Sequence, residues 1–285
     1  MTLSVVAQGT VLVARDNRRL TALDRRASAK RSIIREFSRA SRRRMIELMA
    51  RLNPHGRRTT FLTLTFSGTP SALEATRAFK AFTMRLRRRS PHCSAIWRKE
   101  RQKRGSFHYH LIIFGLPYWS QKQIQYAWEC CTGEDMSRVH VKLLRGGKKQ
   151  ATYYIAKYCA KVSPRSASLD NAAYSHVEAD DSTSSSEESE GRLWGYINRA
   201  ELPFAPARFV LIDDDAMIVK LWKAMFDLSG GRAASQPRNA RFYGTCCYAL
   251  LSSVVSEAQS LIYDISHETG EKLRWYEYDH TFALA

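Results

Sequence analysis

Two strand-like segments separated by a short turn constrain the fold of this chain most strongly. The segments SAIWRKE (94–100) and FHYHLIIFGL (107–116) are rich in aliphatic and aromatic residues and flank the turn-like stretch QKRGS. Because so short a connection joins neighbouring antiparallel strands, the sequence predicts a β-hairpin. An earlier segment without a breaking residue, FLTLTF (61–66), predicts another strand that is buried on at least one face. The chain is therefore expected to contain an antiparallel sheet.

Helix-like segments lie between and after these strands. Ser71 followed by Glu74 is typical of a capping box and predicts a helix that runs to about Arg89. Further helices are predicted at 121–131 and 149–162, with a strand at 138–144 between them. This order of elements favours an α+β fold, in which helices pack on one face of an antiparallel sheet.

The composition divides the chain into three consecutive parts. Residues 1–56 are rich in Arg and predict a basic, mainly helical N-terminal arm, with a short strand at 10–14 and a helix over about 21–52. Residues 57–205 form the expected main domain, and a Ser-rich, acidic stretch at 164–190 predicts a disordered insertion within it. Residues 206–285 are expected to form a small C-terminal accessory region.

The accessory region contains two local patterns. Asp215 is a candidate N-cap for a helix that continues to about Leu228. The segments SLIYDIS (260–266) and KLRWYEYD (272–279) predict a hairpin around HETGE. Neither pattern contains residues typical of a catalytic site.

The charge balance of the chain indicates a polyanionic partner. The formal net charge is +18 and the isoelectric point is about 9.9, although residues 170–190 contain seven acidic residues and no Lys or Arg. So large an uncompensated positive charge would repel itself in a compact protein unless phosphates neutralised it. Nucleic acid is therefore favoured over a surface that is merely well solvated.

Cysteine spacing and hydropathy argue against other classes of protein. The six cysteines form no CxxC pair, so a structural zinc site is not predicted. The sequence has no signal-like segment and no apolar run of about 20 residues. We therefore expect a cytoplasmic protein without a membrane partner.

The sequence His-Tyr-His in the second strand of the hairpin is a candidate metal site. Residues two apart in a strand point to the same face, so His108 and His110 should project side by side while Tyr109 points away. Glu100, on the preceding strand, could bring a carboxylate alongside them. This donor set suits Mg²⁺ or Mn²⁺ and leaves positions for water and a phosphate oxygen. Two alternatives remain open here, a pair of surface histidines and a two-histidine, one-carboxylate iron site.

The segment ATYYIAKYCAKV (151–162) contains candidate nucleophiles. Tyr154 and Tyr158 are four residues apart and share one face of the predicted helix, with Lys157 and Lys161 beside them. A phenol can attack a metal-polarised phosphodiester, which gives a phosphotyrosine link and a free 3′ hydroxyl. The lysine ammonium groups would favour the phenolate and phosphate charges. Taken alone, tyrosines at this spacing more often form an aromatic packing stripe.

The order of these motifs resembles that of the HUH superfamily of replication initiators. FLTLTF, the glutamate strand, GSFHYHLIIF and YIAKYCAK follow one another, and RLWGYINR (192–199) comes later. The resemblance covers roughly residues 40–205 and is greatest to the Rep proteins of small single-stranded DNA phages and related plasmids. The pattern WxxExQxRGxxHxH of those proteins is filled here by Trp97, Glu100, Gln102, Arg104, Gly105, His108 and His110.

The resemblance implies a rolling-circle replication initiation protein that nicks and joins single-stranded DNA at an origin. His108 and His110 would hold Mg²⁺ or Mn²⁺ together with Glu100, although Gln102 could take the place of the carboxylate. Tyr154 and Tyr158 would be the nucleophiles, and Tyr158 matches the single-tyrosine versions of the motif. A host helicase and polymerase would be partners, since the sequence contains no GxxxxGK[ST] phosphate loop.

Further residues are candidates for DNA binding, and two other functions remain open. The candidates are basic residues at the end of the helix after FLTLTF and in the hairpin turn, namely Arg85, Arg87, Arg88, Arg89 and Arg104. A relaxase or transposase of the same superfamily would use the same chemistry. A non-catalytic nucleic-acid-binding protein, whose RRM-like sheet stacks histidines and tyrosines on bases, would differ in needing no metal.

Overall fold

A computed structural model of the chain describes most of the sequence in several segments. These are residues 3–9, 11–16, 37–102, 104–135, 137–145, 190–228, 246–250, 254–270 and 276–278. Among these residues no helix is both long enough and apolar enough to cross a membrane.

The described residues form strands and helices in alternation. The strands are β1 Leu3–Gln8, β2 Val11–Asp16, β3 Thr59–Thr65, β4 Ser94–Arg101, β5 Phe107–Phe114, β6 Arg138–Leu144, β7 Trp194–Ile197, β8 Ala207–Ile212, β9 Cys246–Leu250 and β10 Tyr276–Tyr278. The α-helices are α1 Arg39–Ala50, α2 Ala72–Arg89, α3 Gln121–Thr132, α4 Asp215–Leu228 and α5 Val254–Thr269, and Arg199–Glu201 forms a 3₁₀ turn.

The chain falls into two compact units. The central unit comprises Arg31–Ile46 and Pro54–Pro203, and the terminal unit comprises Met1–Lys30, Glu47–Asn53 and Phe204–Ala285. This division differs from the three consecutive parts expected from composition. The expected N-terminal arm and accessory region contribute to one unit, because β1 pairs with β8 along its whole length.

The central unit contains a five-stranded sheet in the order β6-β3-β5-β4-β7, in which all neighbours are antiparallel. β4 and β5 form the predicted hairpin, and β3 lies beside β5. The predicted strand at 138–144 coincides with β6. The α+β prediction, with an antiparallel sheet and helices packed on it, is confirmed.

Helices α2 and α3 pack on one face of the central sheet. α2 begins with the predicted capping box, in which Ser71 Oγ accepts from the Glu74 amide and the Glu74 carboxylate accepts from the Ser71 amide. Ala75, Phe79 and Phe82 of α2 and Trp128 of α3 are buried in the same cluster as the alternate sheet residues. These sheet residues are Leu62, Leu64, Ala95, Trp97, Phe107, Tyr109, Leu111 and Ile113. The opposite face of the sheet therefore presents the residues in between.

Replacing Phe82 by alanine should lower the free energy of unfolding by about 3–5 kcal/mol, because it removes a fully buried ring that packs on Trp119 and Trp128. Leu73→Ala is the matched control, since Leu73 lies on the same helix and is 51% exposed, and should change stability by less than about 0.5 kcal/mol. Denaturant unfolding followed by circular dichroism measures both. Equal stability of the two variants would show that this core is wrongly assigned.

The terminal unit contains a second antiparallel sheet, in the order β10-β8-β1-β2-β9. Gly9 turns the chain from β1 into β2 with φ +58°, and a Cβ there would lie 2.4 Å from the Ala50 carbonyl oxygen. Both the left-handed backbone and this close approach require glycine. Ile218 of α4 and Ile262 of α5 are buried against the core of this sheet.

Three predictions for the flanking regions differ from the structure. Residues 3–8 and 11–16 are strands, so only part of the expected arm is helical, and α1 begins at Arg39. The side chain that caps α4 is Asp214, which accepts from the Met217 amide at 2.6 Å, rather than Asp215. The predicted hairpin is wrong, because SLIYDIS lies within α5, where Ile262 and Ile265 are buried one helical turn apart.

Candidate functional site

The β4–β5 hairpin brings the candidate metal ligands to one end of the central sheet. Its turn is closed by the Gln102 amide, which donates to Ser106 O at 2.8 Å, and by the Gly105 amide, which donates to Gln102 O at 2.9 Å. Gly105 has φ +90°, a conformation that favours glycine. The resulting register pairs Glu100 with His108.

Arg104 and Gln102 support this turn. Arg104 donates from Nε to Gln102 Oε1 at 2.7 Å and from a terminal nitrogen to the carbonyl oxygen of Phe66 at 3.0 Å. Ser106 Oγ donates to the same carbonyl at 3.2 Å. Arg104 thus holds the hairpin turn against the end of β3, and the side-chain oxygen of Gln102 is used within the turn. The geometry favours Glu100 over Gln102 as the carboxylate partner of the histidines.

Glu100, His108 and His110, here called the Glu/His cluster, lie on the sheet face opposite α2 and α3. Glu100 Oε2 is 3.3 Å from His110 Nε2, and the side chains of these two residues are 22% and 10% exposed. The ring centres of His108 and His110 are 5.8 Å apart. The hairpin register and the alternation of the strand therefore bring the three predicted ligands together.

The ring of His110 is held by β3. Its Nδ1 lies 3.1 Å from Thr63 Oγ1, and the residue pairs with Thr63 across the sheet. The ring also lies nearly parallel to that of Phe61, at 6.0 Å between centres. These contacts orient Nε2 towards Glu100. A hydrogen bond to the other ring nitrogen is the usual way in which a metal-binding histidine is fixed.

The chemistry and spacing of the Glu/His cluster fit a divalent cation. One carboxylate and two imidazoles are suitable donors for Mg²⁺ or Mn²⁺. The 3.3 Å separation of Glu100 Oε2 and His110 Nε2 is close to the distance of about 3 Å expected between neighbouring ligand atoms that each lie about 2.1 Å from an octahedral cation. Partial exposure leaves the cluster open to a substrate oxygen.

The Glu/His cluster is not closed around a single point. Over the part of the chain that the structure describes, no three His, Cys, Asp or Glu side chains are grouped so as to enclose a metal ion. Glu100 and His110 are in contact, whereas His108 is the more distant member. Binding by all three residues therefore requires rotation of a side chain.

Replacing Thr63 by valine should weaken Mn²⁺ binding by about 10–100-fold, because the variant keeps the β-branched shape but loses the hydroxyl that orients His110. Isothermal titration calorimetry measures this affinity. Thr59→Val is a matched control on the same strand, since the Thr59 hydroxyl donates to Arg57 O at 3.2 Å, away from the cluster. Wild-type affinity in the Thr63 variant would contradict a role for this contact.

Sequence reasoning missed two residues of this face, Thr63 and Arg98. Arg98 pairs with His110 across the hairpin, is 5% exposed, and stacks its guanidinium 4.4 Å from the ring centre of Phe37. It therefore contributes a buried positive charge next to the cluster. Both residues were detectable from alternation, because Arg98 is two residues from Glu100 and Thr63 alternates with inward-facing leucines.

Tyr109 points away from the cluster, as the alternation predicted. It is 1% exposed, stacks on Phe79 at 4.0 Å, and donates its hydroxyl to Ala75 O at 3.1 Å. Burial raises the pKa of Tyr109 well above that of a free phenol. Tyr109 is therefore a core residue and is not suited to act as a nucleophile.

The structure separates the basic residues of α2 from the Glu/His cluster. Arg85, Arg87, Arg88 and Arg89 are exposed on the helix that covers the other face of the sheet. They also precede Ser94, the end of β4 that lies six residues, or about 20 Å, from Glu100. Of the predicted DNA-binding residues, Arg104 alone lies at the end of the sheet that carries the cluster.

The predicted nucleophile segment lies outside the described residues. This applies to Tyr154, Lys157, Tyr158 and Lys161, and to the predicted insertion except for its last residue, Glu190. Glu190 accepts from Arg101 Nε at 2.8 Å, and its carbonyl accepts from Lys99 Nζ at 2.9 Å. The chain thus rejoins the central unit beside β4, and β7 continues from there.

A comparison with protein-family models gives a match to a family of replication-associated proteins, described as the ORF2 type. The match covers residues 59–163, a little more than a third of the chain. This range begins at β3 and includes the Glu/His cluster and both candidate tyrosines. Neither the curated proteins nor the solved structures gave a match. The family match supports a role for the chain in the initiation of replication.

Proposed function

We propose that this protein is a metal-dependent endonuclease of the HUH superfamily that initiates rolling-circle replication. It would nick single-stranded DNA at an origin and join strands through a covalent 5′-phosphotyrosine intermediate. The observation that carries this proposal is the contact between Glu100 and His110, in register with His108, within the range matched by a replication-associated family.

The Glu/His cluster supplies the electrophilic part of the proposed reaction. When bound by Glu100, His108 and His110, Mg²⁺ or Mn²⁺ would act as a Lewis acid on the scissile phosphate. Thr63 would hold the His110 ring in its binding orientation, and the buried guanidinium of Arg98 would add positive charge near the phosphate. Arg104 would keep the hairpin turn, and with it Glu100, in position.

The proposed nucleophile is Tyr154 or Tyr158, and Tyr158 if one tyrosine suffices. The phenol oxygen attacks phosphorus, the bond to the 3′ oxygen breaks, and the 5′ phosphate remains on the tyrosine. The phenol releases one proton and the departing 3′ oxygen gains one, so a 3′ hydroxyl is formed. Lys157 and Lys161 would stabilise the phenolate and the phosphate. A strand end that later attacks the phosphotyrosine would reverse the step and rejoin the DNA.

The chain length after β6 is compatible with this role. β6 runs from Arg138, at the end of the sheet that carries the cluster, to Leu144 at the other end, a length of about 20 Å. Tyr154 follows ten residues after Leu144, and ten residues can span up to about 33–36 Å. The connection is therefore long enough for either tyrosine to return to the cluster.

The burial of aromatic residues argues against a non-catalytic, base-stacking sheet. Such a sheet needs exposed aromatic rings at its centre. On the face that carries the cluster, Phe61 and Phe114 occupy the two central strands and are 2% and 0% exposed. They cannot receive bases. A relaxase or transposase would share the chemistry and differ in the DNA on which it acts.

Incubation with single-stranded circular DNA tests the proposed function. With Mn²⁺ we expect nicked DNA that carries the protein through a bond stable on a denaturing gel, and with EDTA we expect neither product. Tryptic digestion and mass spectrometry should then identify the modified tyrosine. Metal-independent binding without cutting, over a range of origin-like sequences, would instead support a non-catalytic protein.

A further inference from the structure

Strand β6 carries a row of basic side chains on the same sheet face as the Glu/His cluster. Arg138, His140 and Lys142, here called the basic edge, pair with Thr65, Thr63 and Phe61 of β3. Thr65 and Thr63 pair in turn with His108 and His110 of β5. Because paired residues share a face, the basic edge and the cluster lie on one continuous surface.

The basic edge is exposed, whereas the residues between its members pack inwards. Arg138, His140 and Lys142 are all exposed, and Val139 is buried in the cluster formed with α2 and α3. β6 also ends the order of described strands in the sheet. A ligand can therefore approach these side chains both from above the face and from the side.

The spacing of the basic edge suits a sugar-phosphate backbone. Same-face residues in a strand are about 6.6–6.8 Å apart, which is comparable to the separation of neighbouring phosphates in an extended single strand of nucleic acid. Arg and Lys bind phosphate by charge, and the imidazole of His140 can donate a hydrogen bond. A run of three such residues without an intervening acid matches successive phosphates.

Glu134, an acidic residue just before β6, is turned towards another partner. Its carboxylate accepts from the Ser67 and Gly68 amides at 2.7 and 3.1 Å, and from Ser67 Oγ at 2.9 Å. These bonds tie the loop before β6 to the loop after β3. They also satisfy the Glu134 carboxylate with backbone and hydroxyl donors.

We propose that the basic edge binds the backbone of single-stranded DNA and leads the scissile phosphate to the Glu/His cluster. The inference rests on the proposed function and adds the path of the substrate. Arg138 is in the same cross-strand row as His108 and lies two strands, or about 10 Å, from it. The strand of DNA would run along β6, with its Arg138 end nearest the site of cutting.

The salt dependence of DNA binding tests this path. A fluorescein-labelled single-stranded oligonucleotide is titrated with protein in EDTA at several NaCl concentrations, and binding is followed by fluorescence anisotropy. For the Arg138→Ala, Lys142→Ala double variant, the slope of log affinity against log salt should become shallower by roughly 1.4, about 0.7 for each lost phosphate contact. The control is an Arg77→Ala, Lys80→Ala double variant, which removes the same charge from exposed residues of α2.

The control should keep the wild-type slope. An unchanged slope in the β6 variant, or an equal loss in the α2 variant, would overturn the proposed path. Adduct formation by the wild-type protein with Mn²⁺ separates this result from the proposed function. Adducts with an unchanged β6 slope would refute the path alone, whereas a shallower slope without adducts would leave the path standing and refute the nuclease.

Discussion

Replacement of His110 by alanine is expected to lower the rate of Mn²⁺-dependent nicking at least about a thousandfold. His110 is the member of the Glu/His cluster with the most contacts, since it faces Glu100, Thr63 and the Phe61 ring. Its loss removes an imidazole ligand and frees the carboxylate. Lewis-acid stabilisation of a phosphate is worth several kcal/mol, and each 1.36 kcal/mol changes the rate tenfold. Single-turnover cutting of a labelled oligonucleotide measures the effect.

A histidine outside the cluster provides the control. His55 is exposed in the loop before β3, and His55→Ala should nick at a rate close to wild type. Thermal unfolding of both variants should show a folded protein, so that the loss of rate is not a loss of structure. If His110→Ala cut at the rate of His55→Ala, the cluster would not be the catalytic site.

Replacement of both Tyr154 and Tyr158 by phenylalanine is expected to abolish the covalent protein–DNA adduct. Phenylalanine keeps the ring but removes the hydroxyl oxygen that attacks phosphorus, so no phosphotyrosine can form. Binding of single-stranded DNA should be retained, because the proposed phosphate contacts lie on β6. Denaturing gels measure the adduct and fluorescence anisotropy measures the binding.

The single variants and a distant tyrosine complete the test. Tyr158→Phe should reduce the adduct more than Tyr154→Phe, because Tyr158 matches single-tyrosine versions of the motif. Tyr126→Phe should leave the yield unchanged, since Tyr126 is 69% exposed on α3, the helix side of the sheet. An adduct at full yield in the double variant would mean that another residue is the nucleophile.

The local elements of the central unit could be predicted because each depends on nearby residues. Breaker-free apolar segments, a short turn and the Ser71–Glu74 capping box specify β3, β4, β5 and α2 without reference to the rest of the chain. The pairing of β1 with β8 joins residues about 200 positions apart, and no local periodicity records such a contact. SLIYDIS was misread because its aromatic and β-branched content resembles a strand, whereas its buried isoleucines have helical spacing.

The candidate site divides in the same way. The Glu/His cluster could be predicted from alternation and from the length of one turn. The role of Thr63 depends on which strand lies beside β5, and the basic edge depends on the neighbour of β3. Neither pairing follows from spacing, because β6 is separated from β3 by two helices and a hairpin. The Arg residues of α2 attracted attention by their number, yet a helix can cover either face of a sheet.

Pulsed electron paramagnetic resonance of bound Mn²⁺ tests the central claim most directly, because it detects histidine nitrogen bound to the metal without requiring activity. Samples contain one equivalent of Mn²⁺ and protein with or without ¹⁵N-labelled histidine. We expect couplings from two histidine nitrogens in the wild-type protein and from one in His108→Ala. Bound Mn²⁺ without histidine coupling, or couplings unchanged in His108→Ala and His110→Ala, would contradict a metal site at Glu100, His108 and His110.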